Sequence, residues 1–148
     1  MKIAVLTSSR ADYSIWFPLL KKLFSDSFFN TEIIAFGTHL SKNHGFTVEK
    51  IIDDGFPVKK QIPVFPKNDS PLSIALAMGE TFSSFSHYWS QNDYDYIFSL
   101  GDRFETFSAV AASVPFNKKI AHIHGGEKTK GAIDDSFRHS ITHMSNLH

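Results

Sequence analysis

Short apolar runs alternate with longer segments of helical patterning along the 148-residue chain, and this alternation most constrains its fold. The runs start roughly 30 residues apart, which is the length of a repeating unit of one strand and one helix. The first two and the last two runs are continuously apolar, as are strands buried on both faces of a parallel sheet. The sequence therefore predicts a doubly wound α/β domain. The predicted strands are Lys2–Thr7, 31–36, 58–64, 94–100 and 119–123.

Five segments between and after these runs have helical signals. Asp12 is a candidate N-cap of the first helix, and Asp69 or Ser70 of the third, where Pro71 suits the first turn. The second helix is predicted at 46–54, the third at 72–90, the fourth at 102–114, and the last from 133 or 134 to 147. The expected apolar positions are Ile15, Trp16, Leu19, Leu20 and Leu23 in the first helix and Ile133, Phe137, Ile141, Met144 and Leu147 in the last.

Composition removes several classes of protein. Fifteen Lys and Arg residues balance 15 Asp and Glu residues, which argues against a nucleic-acid binder or a membrane-surface protein. The chain has no Cys, so disulfides, thiol nucleophiles and Cys metal sites are excluded. The apolar run after Met1 is shorter than the roughly 7–15 residues of a secretory signal, and no run reaches the about 20 residues of a membrane span. We therefore expect a cytoplasmic protein.

Doubly wound domains bind ligands at the carboxyl ends of their strands, so the residues there are the candidates for chemistry. Residues 7–12, after the first strand, contain neither the dinucleotide-binding nor the P-loop glycine pattern. Small residues before a helix still expose backbone N–H groups to an anion, and Arg10 adds a permanent charge. The alternative is a capped helix with a surface Arg. His39, after the second strand, is either a ligand contact or the partner of a loop carbonyl.

Two further clusters follow the fourth and fifth strands. Asp102 alone would be an ordinary N-cap, but with Arg103 it can also supply a carboxylate base and a phosphate-binding cation. The pair Gly125 and Gly126 allows close approach of the backbone to a ligand, and Glu127 follows directly.

The last helix carries ionisable residues four apart, off its apolar stripe. Asp134 is so spaced from Arg138, and Asp135 from His139. Such a pattern usually marks a solvated face with ion pairs, but the neighbouring strand end favours a site. His122-x-His124 and His139-x-x-x-His143, with Glu127 or Asp135, would also permit a bound metal ion. They match no known zinc signature, and we predict no metal.

The strand-end motifs, taken in order, resemble those of the hydrolysing UDP-N-acetylglucosamine 2-epimerases of the sialic-acid pathway. Five motifs in the same order are more specific than any single one, and the resemblance extends along the whole chain. The motifs are TSSRADY at 7–13, GTHLS at 37–41, DGF at 54–56, GDRFE at 101–105 and HIHGGE at 122–127, completed by GAIDD at 131–135 and RHSIT at 138–142.

The resemblance implies that residues 1–148 form the N-terminal Rossmann-like domain of a two-domain enzyme of the GT-B type. The second domain, absent from this chain, would bind most of the UDP and supply a further catalytic His. The resemblance also implies an inactive isolated fragment, a homo-oligomeric full-length enzyme and no cofactor.

The implied reaction converts UDP-N-acetylglucosamine and water to N-acetylmannosamine and UDP, by elimination and re-addition at C1 and C2. Several relatives have an acid where this chain has His124, so the base is Glu127 alone or shares proton transfer with His124. The alternatives are a UDP-diacetamido-sugar 2-epimerase and a non-catalytic nucleotide-sugar-binding module. By the resemblance, Asp102, Glu127 and Asp134 are the acid–base carboxylates, Arg10 and Arg138 face the charged part of the substrate, and Asp12, His39, Arg103, His124, Gly125, Gly126, Asp135 and His139 bind or orient it.

Overall fold

The computed structural model describes residues 1–128 and 133–148. Within this part, five parallel strands form one sheet in the order β3-β2-β1-β4-β5, which is the Rossmann order. The predicted fold class is confirmed. The motif residues Gly131 and Ala132 lie outside the described residues. The strands are β1 (Lys2–Thr7), β2 (Asn30–Phe36), β3 (Val58–Ile62), β4 (Tyr96–Leu100) and β5 (Ile120–Ile123), and the helices are α1 (Arg10–Ser25), α2 (Val48–Asp53), α3 (Pro71–Gln91), α4 (Phe104–Ala111) and α5 (Asp134–Met144).

Both faces of the sheet are covered, which explains why β1 is continuously apolar. Ile3 and Val5 pack into a cluster with residues of α1 and α2. Ala4 and Leu6 point to the opposite face and pack into a cluster with residues of α3, α4 and α5. The strand order reverses between β1 and β4, so the crevice outside their carboxyl ends is the expected ligand position.

The first helix begins earlier than predicted. Ser9 is its N-cap, and the Ser9 hydroxyl accepts a hydrogen bond from the Asp12 N–H at 3.3 Å. The predicted Asp12 cap is therefore wrong, because Asp12 already lies inside the first turn. Ile15 was placed on the wrong face, since it is 48% exposed, whereas Trp16 is buried as predicted.

The fourth helix is shorter than predicted and has no side-chain cap. It begins at Phe104 after Arg103 and ends at Ala111. The alternative in which Asp102 is only an N-cap does not hold, because Arg103 has that position and the Asp102 carboxylate is bound by the Arg138 guanidinium.

The predicted last helix extends too far. It ends at Met144, and the following residues lie beside β5, where the His122 N–H donates to the Leu147 carbonyl at 2.9 Å. Leu147 therefore leaves the predicted apolar stripe, and Ile133, before the helix, is 74% exposed. Ile141 is the stripe residue that is fully buried.

Candidate active site

The loop between β1 and α1 is closed by hydrogen bonds to Asp12. The backbone N–H and the hydroxyl of Ser8 donate to Asp12 Oδ2 at 3.0 and 2.7 Å. Because this carboxylate is buried and already engaged, its geometry fits an orienting role better than a direct ligand contact. Arg10 is exposed at the start of α1 and lines a cavity of about 340 Å³ with Tyr13 and Phe46, so its guanidinium is accessible to a ligand.

His39 lies beneath this cavity and is fully buried. Its Nε2 is hydrogen-bonded to Thr7 Oγ1 at 2.9 Å and its Nδ1 to Thr47 Oγ1 at 2.8 Å. Burial lowers the pKa of His39 to about 4, although the Asp12 carboxylate acts in the opposite direction. His39 is therefore neutral near pH 7 and ties the ends of β1 and β2 to the segment before α2.

At the carboxyl ends of β4 and β5 lies a charged cluster formed by Asp102, Glu127 and Arg138. Arg138 Nη2 donates to Asp102 Oδ2, and Arg138 Nη1 lies 3.5 Å from Glu127 Oε2. Arg138 is 8% exposed, so the alternative of a solvated helix face does not apply to it. The guanidinium instead lies between two carboxylates that reach it from the ends of β4 and β5.

The other ionisable residues of α5 lie around this cluster. Asp134 is close enough to Arg103 for its carboxylate to favour the charged form of that guanidinium. The predicted pair of Asp135 and His139 is confirmed, with His139 Nε2 3.3 Å from Asp135 Oδ2. Both side chains of this pair are partly exposed, as a helix-surface pair would be.

His122 has a structural position at the end of β5. Its Nε2–H donates to the Gly101 carbonyl at 2.7 Å, and its Nδ1 is hydrogen-bonded to Thr142 Oγ1 at 3.1 Å. Burial lowers the pKa of His122. His124 does not share this position, because the strand ends at Ile123 and His124 is exposed with a φ of 63°.

The two glycines after β5 have different reasons to be glycine. A Cβ on Gly125 would lie 2.9 Å from His122 Nδ1 and 2.8 Å from the Cβ of His148, so Gly125 is required by close packing within the chain. Gly126 has a φ of 76°, which favours glycine, and a Cβ there would meet only His148 Cδ2, at an ordinary contact distance of 3.9 Å. Gly126 is therefore glycine because of its backbone conformation, and close packing within the chain does not require it.

Glu105 is a candidate residue that sequence reasoning missed. It is fully buried at the start of α4, and its Oε1 accepts a hydrogen bond from Arg103 Nη2 at 2.8 Å. Burial disfavours the charge on Arg103, but this hydrogen bond and the carboxylates of Glu105, Asp12 and Asp134 raise the Arg103 pKa above its usual value. The signal that could have found Glu105 is its place in the GDRFE motif, directly before the uncharged stretch 106–114.

The part of the chain that the structure describes contains neither a metal site nor a membrane-spanning helix. In the ranges 1–128 and 133–148, no three His, Asp or Glu side chains lie close enough to hold one ion. Across the same ranges, no helix has the length and hydrophobicity to traverse a bilayer.

The sheet order and the carboxylates at its carboxyl edge define a Rossmann-like α/β domain with an acidic, arginine-centred site at the ends of β4 and β5. Residues 21–148 match the model of the family described as UDP-N-acetylglucosamine 2-epimerase. The chain belongs to this family.

Curated relatives align along almost the entire chain. It is 37% identical over 147 residues to a GDP/UDP-N,N′-diacetylbacillosamine 2-epimerase (hydrolyzing) from Campylobacter jejuni. It is also 37% identical to the polysialic acid biosynthesis protein P7 from Escherichia coli, and 26% identical to a UDP-N-acetylglucosamine 2-epimerase from Neisseria meningitidis. In each case the match covers 99% of this chain and 38% of the relative.

Solved structures of UDP-N-acetylglucosamine 2-epimerases share the fold. One covers 100% of this chain and 41% of its own, with a TM-score of 0.86 and 13% identity. The enzyme from Neisseria meningitidis bound to UDP-GlcNAc covers 100% of this chain and 40% of its own, with a TM-score of 0.82 and 16% identity. The chain thus spans about two fifths of the length of the proteins it matches.

Proposed function

We propose that residues 1–148 are the N-terminal, sugar-facing domain of a two-domain hydrolysing UDP-sugar 2-epimerase. The observation that carries the proposal is the convergence of Asp102 and Glu127 on the buried guanidinium of Arg138. Two carboxylates from adjacent strand ends, at the switch-point edge of a Rossmann-like sheet, provide the acid–base groups that this reaction needs.

The chemistry needs proton transfer at C2 of the sugar, whose C–H bond is a poor acid. Loss of UDP gives C1 oxocarbenium character, which acidifies the C2 proton. A carboxylate removes this proton to give a glycal, and water then adds at C1 while a proton returns to C2 on the opposite face. The products are the 2-epimeric amino sugar and UDP, so no atom is left unaccounted for.

The described contacts suggest how the residues divide this work. Asp102 and Glu127 contact Arg138 at the ends of β4 and β5, and the Asp134 carboxylate favours the charged form of Arg103. These three carboxylates remain our candidates for base and acid. Because Arg138 is occupied by two of them, we assign it to positioning the carboxylates, and the exposed Arg10 to the pyrophosphate.

The substrate is either UDP-N-acetylglucosamine or a UDP-diacetamido sugar. The second is favoured by the 37% identity to the Campylobacter enzyme and the 34% identity to a UDP-N,N′-diacetylbacillosamine 2-epimerase (hydrolyzing) from Legionella pneumophila, against 26% for the Neisseria UDP-N-acetylglucosamine enzyme. The first is favoured by the equal identity to the polysialic acid protein P7. A product in the sialic-acid or legionaminic-acid branch follows accordingly.

The test uses the full-length protein in D2O with each nucleotide sugar. We expect release of UDP together with a 2-epimerised sugar that carries deuterium at C2. Release of UDP without deuterium at C2 would rule out proton abstraction at this carbon. Binding without turnover of either sugar would support the non-catalytic module instead.

Two further expectations concern the assembly. Isolated residues 1–148 should fold but release no UDP from UDP-N-acetylglucosamine, because the proposed second domain supplies most of the UDP contacts. The full-length enzyme should be a homo-oligomer in the cytoplasm. The outer side of α3 exposes two large apolar side chains, Leu72 at 70% and Leu76 at 60%. A variant with Glu at both positions tests whether this face holds the oligomer together.

A further inference from the structure

The backbone of Gly101, the residue before Asp102, is held by the neighbouring strand. Gly101 has a φ of 72°, so it no longer has the extended conformation of β4. Its N–H still donates to the Ile123 carbonyl at 3.0 Å. Its carbonyl accepts from Nε2 of His122 at 2.7 Å. Both polar backbone groups of Gly101 are therefore bonded to residues of β5.

The N–H of Gly126, the residue before Glu127, is held in a similar way by α5. It donates to Thr142 Oγ1 at 3.1 Å. The same hydroxyl lies 3.1 Å from Nδ1 of His122. His122 and Thr142 thus connect the backbone before one carboxylate to the backbone before the other. We call this path, from Gly126 through Thr142 and His122 to Gly101, the backbone bridge.

The partners of His122 fix the direction of these hydrogen bonds. A carbonyl oxygen only accepts, so Nε2 of His122 carries a proton. Burial lowers the pKa of this ring, which is therefore neutral near pH 7, and Nδ1 must accept. The Thr142 hydroxyl consequently donates to Nδ1 and not to the Arg138 carbonyl, which is also within reach at 3.0 Å. Every donor in the backbone bridge then points from the Glu127 side toward the Asp102 side, and such aligned hydrogen bonds strengthen one another.

Gly125 lies against the middle of the backbone bridge and leaves no room there for a side chain. A Cβ at this position would lie 2.9 Å from His122 Nδ1 and 3.1 Å from Thr142 Oγ1. These are the two atoms that bond to each other. His122 is also only 2% exposed. The bridge is thus closely packed at its centre, unlike a hydrogen bond on a helix surface.

The backbone bridge complements the role of Arg138. The Arg138 guanidinium contacts the carboxylate groups of Asp102 and Glu127 themselves, whereas the bridge holds the main chain from which these side chains extend. We propose that His122 and Thr142 are positioning residues, which set the separation of the two carboxylates by fixing the residue before each of them. The inference rests on the proposed function, because it requires these carboxylates to transfer protons at one carbon. A misplacement of about 1 Å lowers the rate of such a step by about 10²-fold.

The first experiment removes the hydroxyl at the centre of the bridge. In the full-length enzyme, Thr142→Val keeps the shape of the side chain but cannot bond to His122 or to the Gly126 N–H. We expect kcat for UDP release to fall by about 10- to 100-fold, with KM changed by less than about threefold, because the bridge acts on the carboxylates and not on substrate binding.

Two further variants of α5 show whether the hydroxyl itself is responsible. Thr142→Ser restores the hydroxyl and should recover kcat to within about threefold of the unchanged enzyme. Ser140→Ala is the matched control, since its hydroxyl bonds back to the Ser136 carbonyl within the same helix, and it should change neither constant.

Urea denaturation of the same samples gives the folded fraction, so kcat is calculated per folded enzyme. Unchanged kcat for Thr142→Val would overturn the proposal, as would an equal loss in Thr142→Ser or a loss that appears in KM alone. If the unchanged full-length enzyme released no UDP from either nucleotide sugar, the proposed function would fail and the inference with it. Normal turnover by both the unchanged enzyme and Thr142→Val would contradict the inference alone.

A second variant breaks the bridge from its other end, in case Thr142→Val does not fold. His122→Gln can still donate an amide N–H to the Gly101 carbonyl but has no nitrogen in the place of Nδ1. It should also lower kcat by about 10- to 100-fold at unchanged KM. In the double variant, kcat should equal that of the slower single variant, because both residues act through one chain of hydrogen bonds. Normal kcat for His122→Gln, or losses that multiply in the double variant, would overturn the proposal.

Discussion

The two halves of the carboxyl edge of the sheet are built differently. Around β1 and β2, Asp12 and His39 are buried, and their polar atoms bond to Ser8, Thr7 and Thr47 within the chain. Around β4 and β5, the side chains of Asp102 and Glu127 remain 24% and 59% exposed while sharing one guanidinium. In the first half, which we call the neutral half after the uncharged His39, the buried polar atoms are hydrogen-bonded within the chain. In the second, the charged half, a charged cluster is open to a ligand.

This difference separates residues that hold the edge from residues that can react at it. A buried His with both ring nitrogens bonded has little capacity to exchange a proton with substrate. Carboxylates that are fixed by an arginine but reachable from solvent keep that capacity. Substitutions of the buried Asp12 and His39 should therefore affect stability, and substitutions of Asp102 and Glu127 should affect turnover.

The largest expected effect is on turnover, at the charged half. In the full-length enzyme, Asp102→Asn and Glu127→Gln should each lower kcat by about 10²–10⁴-fold, the range for loss of a general acid or base. UDP release under saturating substrate measures the effect. Asp26→Asn serves as the matched control for Asp102→Asn and should retain normal kcat. A kcat within threefold of the unchanged enzyme for both site variants would refute the catalytic assignment.

The next effect is acid sensitivity of the neutral half. His39 has a pKa of about 4 when folded and near 6.5 when unfolded, so the unfolded chain binds more protons between these values. The stabilising contribution is complete above pH 6.5 and is lost as the pH falls toward 4, by about 3 kcal/mol in the free energy of unfolding. The lowered pKa of His122 acts in the same direction.

Urea denaturation at several pH values between 7 and 4 checks this dependence. His39→Gln should flatten the curve over this window, whereas the exposed His87→Gln should leave it unchanged. An equally steep curve for His39→Gln would mean that other groups cause the acid sensitivity.

Backbone architecture was more predictable from the sequence than side-chain partners. The bounds of β1 were predicted correctly, because a strand buried on both faces has an unbroken apolar run. The cap of α1 was misplaced by three residues, since Ser9 and Asp12 are both good capping residues and only the loop conformation decides between them.

The position of Arg138 shows what sequence spacing cannot supply. Asp134 lies four residues before Arg138 and is a natural local partner, yet Arg138 bonds to Asp102, 36 residues away. Which partner is chosen depends on how α5 packs over the end of β4. Glu105 escaped prediction for the same reason, because its burial arises from tertiary packing and not from its neighbours in the chain.

Removing Arg138 tests whether the charged half also contributes to folding. Arg138→Met should lower the free energy of unfolding by about 2 kcal/mol, because charged hydrogen bonds are lost and two carboxylates are left close together. Arg138→Lys should recover part of the stability but less of the turnover, since an ammonium cannot reproduce the forked geometry. Denaturation and kcat of the same samples separate the two effects. Equal recovery of both would argue against a positioning role.

The smallest expected effect concerns the N-cap of α1, in the neutral half. Ser9→Ala removes the hydroxyl that caps α1 and should cost about 1 kcal/mol of stability. Ser14→Ala is the matched control in the same helix, because its hydroxyl bonds only back to the Arg10 carbonyl within the helix. The difference between their urea midpoints measures the cap. Because Asp12 would keep both hydrogen bonds from Ser8, kcat should fall far less in Ser9→Ala than in Asp102→Asn. A comparable loss of kcat in the two variants would mean that stability and turnover are not divided between the two halves.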